Sequence, residues 1–147
     1  MKKIERILFA TDFSENSDDA FGYALLLARQ FSARISLIHV INEPVDLRGF
    51  YVPHISFDNL EKEIEEGARK MMQKFCAERL ADYPDHDSHV LTGIPADEIV
   101  AKAKELDASM IVLGTHGRTG LDHILFGSTA ERVVRYAPCP VLTVRQR

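Results

Sequence analysis

The run Met110-Ile111-Val112-Leu113 leads directly into Gly114-Thr115-His116-Gly117, and Gly127-Ser128-Thr129 follows after nine further residues. A short apolar run that ends at glycine is typical of a strand buried on both faces of a sheet. Glycine lets the backbone approach an anion closely, so several N–H groups can converge on it. A helix that starts after the second glycine adds unpaired N–H donors. The stretch therefore predicts a phosphate-binding loop between a buried strand and a helix.

Four further strand patterns occur along the 147 residues. They lie at Ile7–Ala10, at Ile35–Ile41, more weakly at Asp85–Leu91, and at Pro140–Val144. The segments between them are long enough for helical crossovers, which favours parallel strands. We expect a single α/β domain over 1–147, a doubly wound five-stranded parallel sheet with helices on both faces.

Apolar residues at a spacing of 3.6 predict the helices. The first predicted helix presents Phe21, Ala24, Leu25, Ala28 and Phe31 to the core. The second, roughly Asp58–Leu80, presents Leu60, Ile64, Ala68, Met71, Met72 and Phe75. The third begins at Pro95 and presents Ile99, Ala103 and Leu106. Ser128 with Glu131 forms a capping-box pattern, which predicts Ser128 as the N-cap of the last helix.

Composition narrows the class of protein. The chain is 46% hydrophobic and 27% charged, as ordinary globular proteins are, and its net charge of −4 argues against a nucleic-acid partner. Cys76 and Cys139 have neither a disulfide nor a zinc spacing. The first apolar run, Ile7–Ala10, is too short for a signal segment or a membrane span. We therefore expect a cytoplasmic protein with no membrane partner.

Three segments with functional character fall at predicted carboxyl ends of strands, where ligands bind in open parallel sheets. They are Thr11-Asp12, His39-Val40-Ile41 and the glycine loop. The loop is not a Walker motif, because no lysine follows its second glycine, nor is it the dinucleotide fingerprint. The alternative interpretation is a tight turn at the glycines and a plain N-cap at Ser128.

Individual side chains near these ends are candidates for ligand contacts, and two of them have a second interpretation. Asp12 can accept hydrogen bonds from a ribose or base, or serve as a turn residue. Arg118 can neutralise phosphate charge or remain solvated, and His116 can donate to a phosphate oxygen. The segment Asn42–Ile55 lacks periodicity and is expected to be a functional loop. For the other histidines we expect surface or edge roles: His39, His54, His86, His89 and His123.

The spacing Gly114-x2-Gly117-x9-Gly127-Ser128, with Ala10-Thr11-Asp12-Phe13-Ser14 before it and Pro140-Val141-Leu142 after it, resembles the universal stress protein family. The resemblance covers essentially the whole chain. It implies an adenine nucleotide alpha hydrolase-like, Rossmann-like fold. Because the glycine pattern is complete, the chain resembles the branch of that family that binds ATP.

The resemblance also implies roles for particular residues. Asp12 and the backbone of Val40 are expected at the adenine and ribose end, next to Ala10 and Thr11. Around the ribose and phosphates are expected Leu113, Gly114, His116, Gly117, Arg118, Gly127, Ser128 and Thr129. Mg²⁺ or Mn²⁺ is expected to bridge the phosphates. A homodimer is expected through Val141–Val144, since an exposed apolar edge strand is a liability.

Three functions stay open at this point. The first is an ATP-dependent regulatory switch in the stress response, without a catalytic residue. The second is a slow ATPase or phosphotransfer enzyme, for which only Asp12, His116 and Arg118 are available. The third is a dimeric interaction module that binds no nucleotide. A phospho-receiver domain is excluded, because the third strand ends in Leu91-Thr92-Gly93 and not in an acceptor aspartate.

Overall fold

The computed structural model describes residues 2–42, 57–116 and 126–146. Strands and helices alternate along these ranges. The strands are β1 (Arg6–Ala10), β2 (Arg34–Asn42), β3 (His86–Gly93), β4 (Met110–Gly114) and β5 (Val141–Val144). The helices are α1 (Glu15–Phe31), α2 (Phe57–Arg79), α3 (Pro95–Glu105) and α4 (Ser128–Tyr136).

The five strands form one parallel sheet in the order β3-β2-β1-β4-β5. The central strand is β1, in which Phe9 lies opposite Leu37 on one side and Val112 on the other. The chain first builds outward from β1 to β3 and then returns to the far side of β1. This reversal makes a crevice beyond the carboxyl ends of β1 and β4. The predicted doubly wound sheet is confirmed.

Successive residues of β1 belong to opposite cores. Ile7 and Phe9 pack in a cluster with α1 and α2, whereas Leu8 and Ala10 pack in a cluster with α3 and α4. Burying each large apolar side chain stabilises the fold by about 1.5–3 kcal/mol. The prediction of helices on both faces of the sheet is therefore confirmed.

Two side chains predicted for the core are exposed, Phe31 by 49% and Met71 by 47%. Phe31 ends α1, and the chain reverses at Ser32 in a left-handed conformation with φ of 52°, which leaves the ring at the rim of the layer. Met71 lies about 60° round its helix from Ala68, at the border of the buried stripe. The prediction of a buried role is wrong for both residues.

Arg34 joins the amino ends of β2 and β3. Its Nε lies 2.9 Å from Asp87 Oδ2, and its Nη1 lies 2.8 Å from Asp85 Oδ1. Partial burial acts to raise the pKa of the Asp87 carboxyl, but interactions with Ser36, Arg34 and His89 outweigh it and hold that pKa below its ordinary value. The charged form of Asp87 is thus favoured in the folded protein.

No helix in residues 2–42, 57–116 and 126–146 has the length and apolar character needed to span a bilayer. Of the predicted loop Asn42–Ile55, Asn42 is the last residue of β2, and the rest lies outside the described residues. Gly117, Arg118, His54 and His123 also lie outside them.

Candidate functional site

A cleft of about 380 Å³ opens at the carboxyl ends of β1, β2 and β4. Most of the residues predicted for the binding site line it, and Gly117 and Arg118 lie outside the described residues. The lining predicted residues are Ala10, Thr11, Asp12, Val40, Leu113, Gly114, His116, Gly127, Ser128 and Thr129. The fold thus brings together segments that are more than a hundred residues apart in the chain.

Asp12 builds the turn between β1 and α1. Its Oδ1 accepts hydrogen bonds from Ser14 N at 3.0 Å and from Ser17 Oγ at 2.8 Å. Ser14 in turn caps α1, because its side chain accepts a hydrogen bond from Ser17 N. Phe13 between them has φ of 64°, a left-handed conformation that is uncommon for a bulky residue. The turn therefore holds the carboxylate of Asp12 at the wall of the cleft, so its structural role is compatible with a binding role.

His39 is buried at the cleft, although we expected a surface or edge role for this histidine. It is 7% exposed, and its Nδ1 lies 2.8 Å from the carbonyl oxygen of Thr11. Because a carbonyl only accepts, Nδ1 carries the proton and donates it. The prediction is wrong for His39, since β2 is an interior strand of the sheet. His86 and His89 do lie on the edge strand β3.

Helix α4 begins at the cleft with its first N–H groups uncapped by any described side chain. Its N-cap is Gly127, with φ of −70° and ψ of 164°, and the Gly127 carbonyl accepts a hydrogen bond from Glu131 N at 3.0 Å. Ser128 is therefore the first helical residue, and the predicted capping box is wrong by one position. Gly127 N donates to Thr115 O at 2.6 Å, which fixes the helix start against the end of β4. The positive end of the helix dipole faces the cleft.

Asn16 contacts the cleft residue His116 without lining the cleft itself, and it was missed. Its side chain is 2% exposed, its Oδ1 accepts a hydrogen bond from His116 N at 2.9 Å, and its Nδ2 donates to Val144 O at 3.2 Å. In the sequence, Asn16 lies among polar residues that together were interpreted as a helix-capping cluster. The available signal was its spacing of four residues from Ala20, which places Asn16 on the buried face of α1. The residues that line the cleft itself and were missed are Ser17, Ile38, Asn42, Pro95, Ile99, Thr115 and Ala130.

The cleft combines an apolar floor with a polar end. Ile38, Ile99 and Leu113 supply apolar surface suited to a planar ring, and all three are nearly fully buried. The N-terminus of α4 supplies N–H donors suited to an anion. Within the part of the chain that the structure describes, no group of three His, Cys, Asp or Glu side chains could hold a metal ion. The arrangement can bind a ligand with an aromatic and an anionic half.

Solved structures related to this one include nucleotide complexes. A universal stress protein from Archaeoglobus fulgidus in complex with dAMP has a TM-score of 0.56 at 24% identity, covering 98% of this chain and 99% of its own. Another universal stress protein, in complex with cAMP, has a TM-score of 0.64 at 23% identity, covering 97% of this chain and 98% of its own. At these identities the likeness concerns the fold alone.

Greater similarity is found in two proteins of Methanocaldococcus jannaschii. Universal stress protein MJ0531 is 36% identical over 146 residues, which cover 97% of this chain and 82% of that protein. The structure of MJ0577 superposes with a TM-score of 0.86 at 28% identity, over 99% of each chain. The family model described as "Universal stress protein family" matches residues 3–145. The chain therefore belongs to the universal stress protein family.

Proposed function

We propose that this chain binds an adenine nucleotide, ATP in the first place, and serves as a nucleotide-dependent switch in the stress response. The observation that carries the proposal is the N-terminus of α4, which is uncapped by described side chains and opens onto the same cleft as the carboxyl ends of β1 and β2. Support also comes from relatives of this fold that form complexes with dAMP and cAMP.

The dimensions of the cleft suit a nucleotide. Its volume of about 380 Å³ falls in the range of about 300–1,000 Å³ that is usual for small-molecule pockets. In the proposed complex the base packs between the backbone of Val40 and the side chain of Ile99. The ribose lies near Asp12, and the phosphates lie at the N–H groups of Ser128 and Thr129.

The proposal includes Mg²⁺ or Mn²⁺ entering together with the phosphates. Mg²⁺ usually keeps several waters and takes one or two carboxylates along with substrate phosphates. The described residues offer Asp12 as the carboxylate at the wall of the cleft. This fits an ion that the nucleotide brings with it better than a resident metal site. When bound, the ion would screen the phosphate charge.

Calorimetric titration tests the proposal with ATP, ADP, AMP and adenosine, each with and without Mg²⁺. The informative variant is Gly127→Val, because φ of −70° is accessible to any residue while the new side chain crowds the phosphate end. We expect it to weaken ATP binding by tenfold or more, equivalent to at least about 1.4 kcal/mol. Adenosine binding should change much less.

The matched control is Gly67→Val on α2, since a Cβ at Gly67 meets no atom within 4 Å and the position is remote from the cleft. This control should bind ATP like the parent protein. Thermal unfolding verifies that each variant is folded. A folded parent chain that shows no heat with millimolar ATP and Mg²⁺, or a folded Gly127→Val variant with undiminished affinity, contradicts the proposal.

A further inference from the structure

Asn16 connects three segments that meet beneath the start of the glycine loop. It belongs to the first turn of α1, yet its carboxamide lies between the ends of β4 and β5. Its Oδ1 is 2.9 Å from His116 N, and its Nδ2 is 3.2 Å from Val144 O. Val144 O also accepts a hydrogen bond from Thr115 N at 3.0 Å. One buried side chain thus joins α1, the loop start and the last residue of β5.

The chemistry of these contacts specifies a carboxamide. The N–H of His116 can only donate and the carbonyl of Val144 can only accept, so the side chain between them must offer an acceptor and a donor together. A carboxylate would place an oxygen against the Val144 carbonyl, and an apolar side chain would leave the partly buried His116 N–H without this partner. Leaving a buried donor unpaired is costly.

Gly114 faces the same carboxamide. A Cβ at this position would lie 2.5 Å from Asn16 Oδ1 and 2.8 Å from Asn16 Cγ, closer than real Cβ contacts come. The backbone conformation does not itself demand glycine, because Gly114 is not among the described residues with positive φ. The steric demand therefore comes from Asn16.

We propose that Asn16 is a positioning residue: it sets the orientation of the His116 N–H at the start of the glycine loop, and Gly114 is glycine in order to admit it. The first glycine of the loop is thus explained by an internal contact and not by close approach to a phosphate. The effect on ligand binding rests on the proposed nucleotide function, whereas the contacts among Asn16, Gly114 and His116 do not.

A double-mutant cycle on Asn16→Ala and Gly114→Ala tests the steric part by thermal unfolding. Overpacking typically costs 1–3 kcal/mol, so Gly114→Ala alone should lower Tm by roughly 5 °C. In the Asn16→Ala background the same change should lower Tm by less than half as much, because the obstructing carboxamide is gone. A double variant as unstable as the sum of the single changes, or one that does not fold, overturns the inference.

Amide hydrogen exchange tests the positioning part without any ligand. In Asn16→Ala we expect the His116 amide to exchange at least tenfold faster, while the Val112 amide within β4 keeps its rate. Gln30→Ala is the matched control, since it removes an exposed carboxamide from the same helix. Unchanged His116 exchange in a folded Asn16→Ala variant contradicts the inference.

Titrations separate this inference from the proposed function. Asn16→Ala should weaken ATP binding about tenfold and adenosine binding less than twofold, because the loop start contacts the phosphate half. If the parent protein binds no nucleotide, the proposed function fails, and the cycle and the exchange rates still decide the role of Asn16. If Asn16→Ala exposes the His116 amide but binds ATP as tightly as the parent, the loop-positioning role is wrong and the proposed function stands.

Discussion

The imidazole Nδ1 of His39 lies 2.8 Å from the carbonyl oxygen of Thr11, so the second strand is tied to the turn that follows the first. The ring also packs on Phe13, with 4.6 Å between the ring centroids. Phe13 has a left-handed backbone conformation and directly follows Asp12, which lines the cleft. The packing of His39 on Phe13 therefore helps to hold this wall of the cleft in place.

Replacing His39 by Phe keeps an aromatic ring and removes the donor. The buried Thr11 carbonyl then loses this partner, and we expect the free energy of unfolding in urea to fall by about 1–3 kcal/mol. His86→Phe is the control, because Nδ1 of His86 also faces a carbonyl, that of Tyr83, but on a partly exposed edge strand. Water can replace the donor there, so its loss should be smaller. Equal losses at the two sites would show that burial of the Thr11 carbonyl is not what matters.

Asp87→Asn should make the protein less stable in a way that depends on pH. The folded pKa of Asp87 lies below its unfolded value, so its contribution is present above about pH 4 and is lost as the pH falls through the folded pKa. After allowing for solvent screening of this partly exposed pair, the loss at neutral pH is about 0.5–1 kcal/mol. Urea unfolding between pH 2 and 7 measures it.

The comparison for Asp87 is Asp82→Asn, which removes a well-exposed partner of Arg29. Its unfolding curve should stay close to that of the parent protein. At pH values below the folded pKa of Asp87, the Asp87→Asn and parent curves should converge. A gap between them that stays constant from pH 7 to pH 2 would rule out the carboxylate charge as the cause.

Hydrolysis of bound ATP should be slow, well below about 1 s⁻¹, which is the lower end for kinases. Among the described residues at the cleft, Oδ1 of Asp12 already accepts hydrogen bonds from Ser14 and Ser17, so it is poorly placed as a general base. Single-turnover measurements with excess protein give the rate. If the residual hydrolysis takes place in the cleft, Gly127→Val should abolish it. A rate above about 1 s⁻¹ in the parent protein would favour the enzyme alternative.

Thr143→Pro should convert the expected homodimer into a monomer. Val144 O accepts from Thr115 N and Pro140 O from Ile111 N, so the backbone groups of Thr143 face away from β4. Proline at position 143 removes an N–H group that points outward and leaves the hydrogen bonds between β5 and β4 intact. Light scattering after size exclusion should give twice the chain mass for the parent and one chain mass for the variant.

Ser88→Pro provides the corresponding change on the other edge of the sheet. Ile35 N donates to Asp85 O, so the backbone N–H and C=O groups of the odd-numbered residues along β3 point towards β2. The backbone groups of Ser88 therefore point outward, like those of Thr143. This variant should remain a dimer. A monomeric parent, or dimers that persist in a folded Thr143→Pro variant, would exclude association through β5.

The fold was predictable because its signals are local. Apolar runs such as Ile7–Ala10 mark strands buried on both faces, and their alternation with helical periods leaves few topologies. The rim of the core was harder to predict. Phe31 and Met71 satisfy the helical period, but their exposure depends on where the neighbouring layer ends, which the period does not contain.

The candidate site was predictable in its backbone elements and less so in its side chains. Carboxyl ends of parallel strands converge in any such sheet, so Asp12, Val40 and Gly114 could be grouped before the structure was known. The contacts of Asn16 and His39 span 100 and 28 residues, and no short-range pattern encodes them. The prediction of a capping box at Ser128 was wrong because Gly127 occupies the N-cap position and Ser128 is already the first helical residue.

The strand order has a consequence for assembly, because the two edges of the sheet differ in chemistry. The outer strand β3 carries Asp87 and His89, whose side chains lie 3.0 Å apart, whereas β5 carries Val141, Leu142 and Thr143 without charge. Charged side chains on an edge oppose the addition of another strand. Self-pairing of β5 uses the same patch on both copies, which gives a closed two-fold arrangement and not an open-ended ribbon. In the expected homodimer, growth of the sheet would then stop at two chains, with a charged strand outermost on each side.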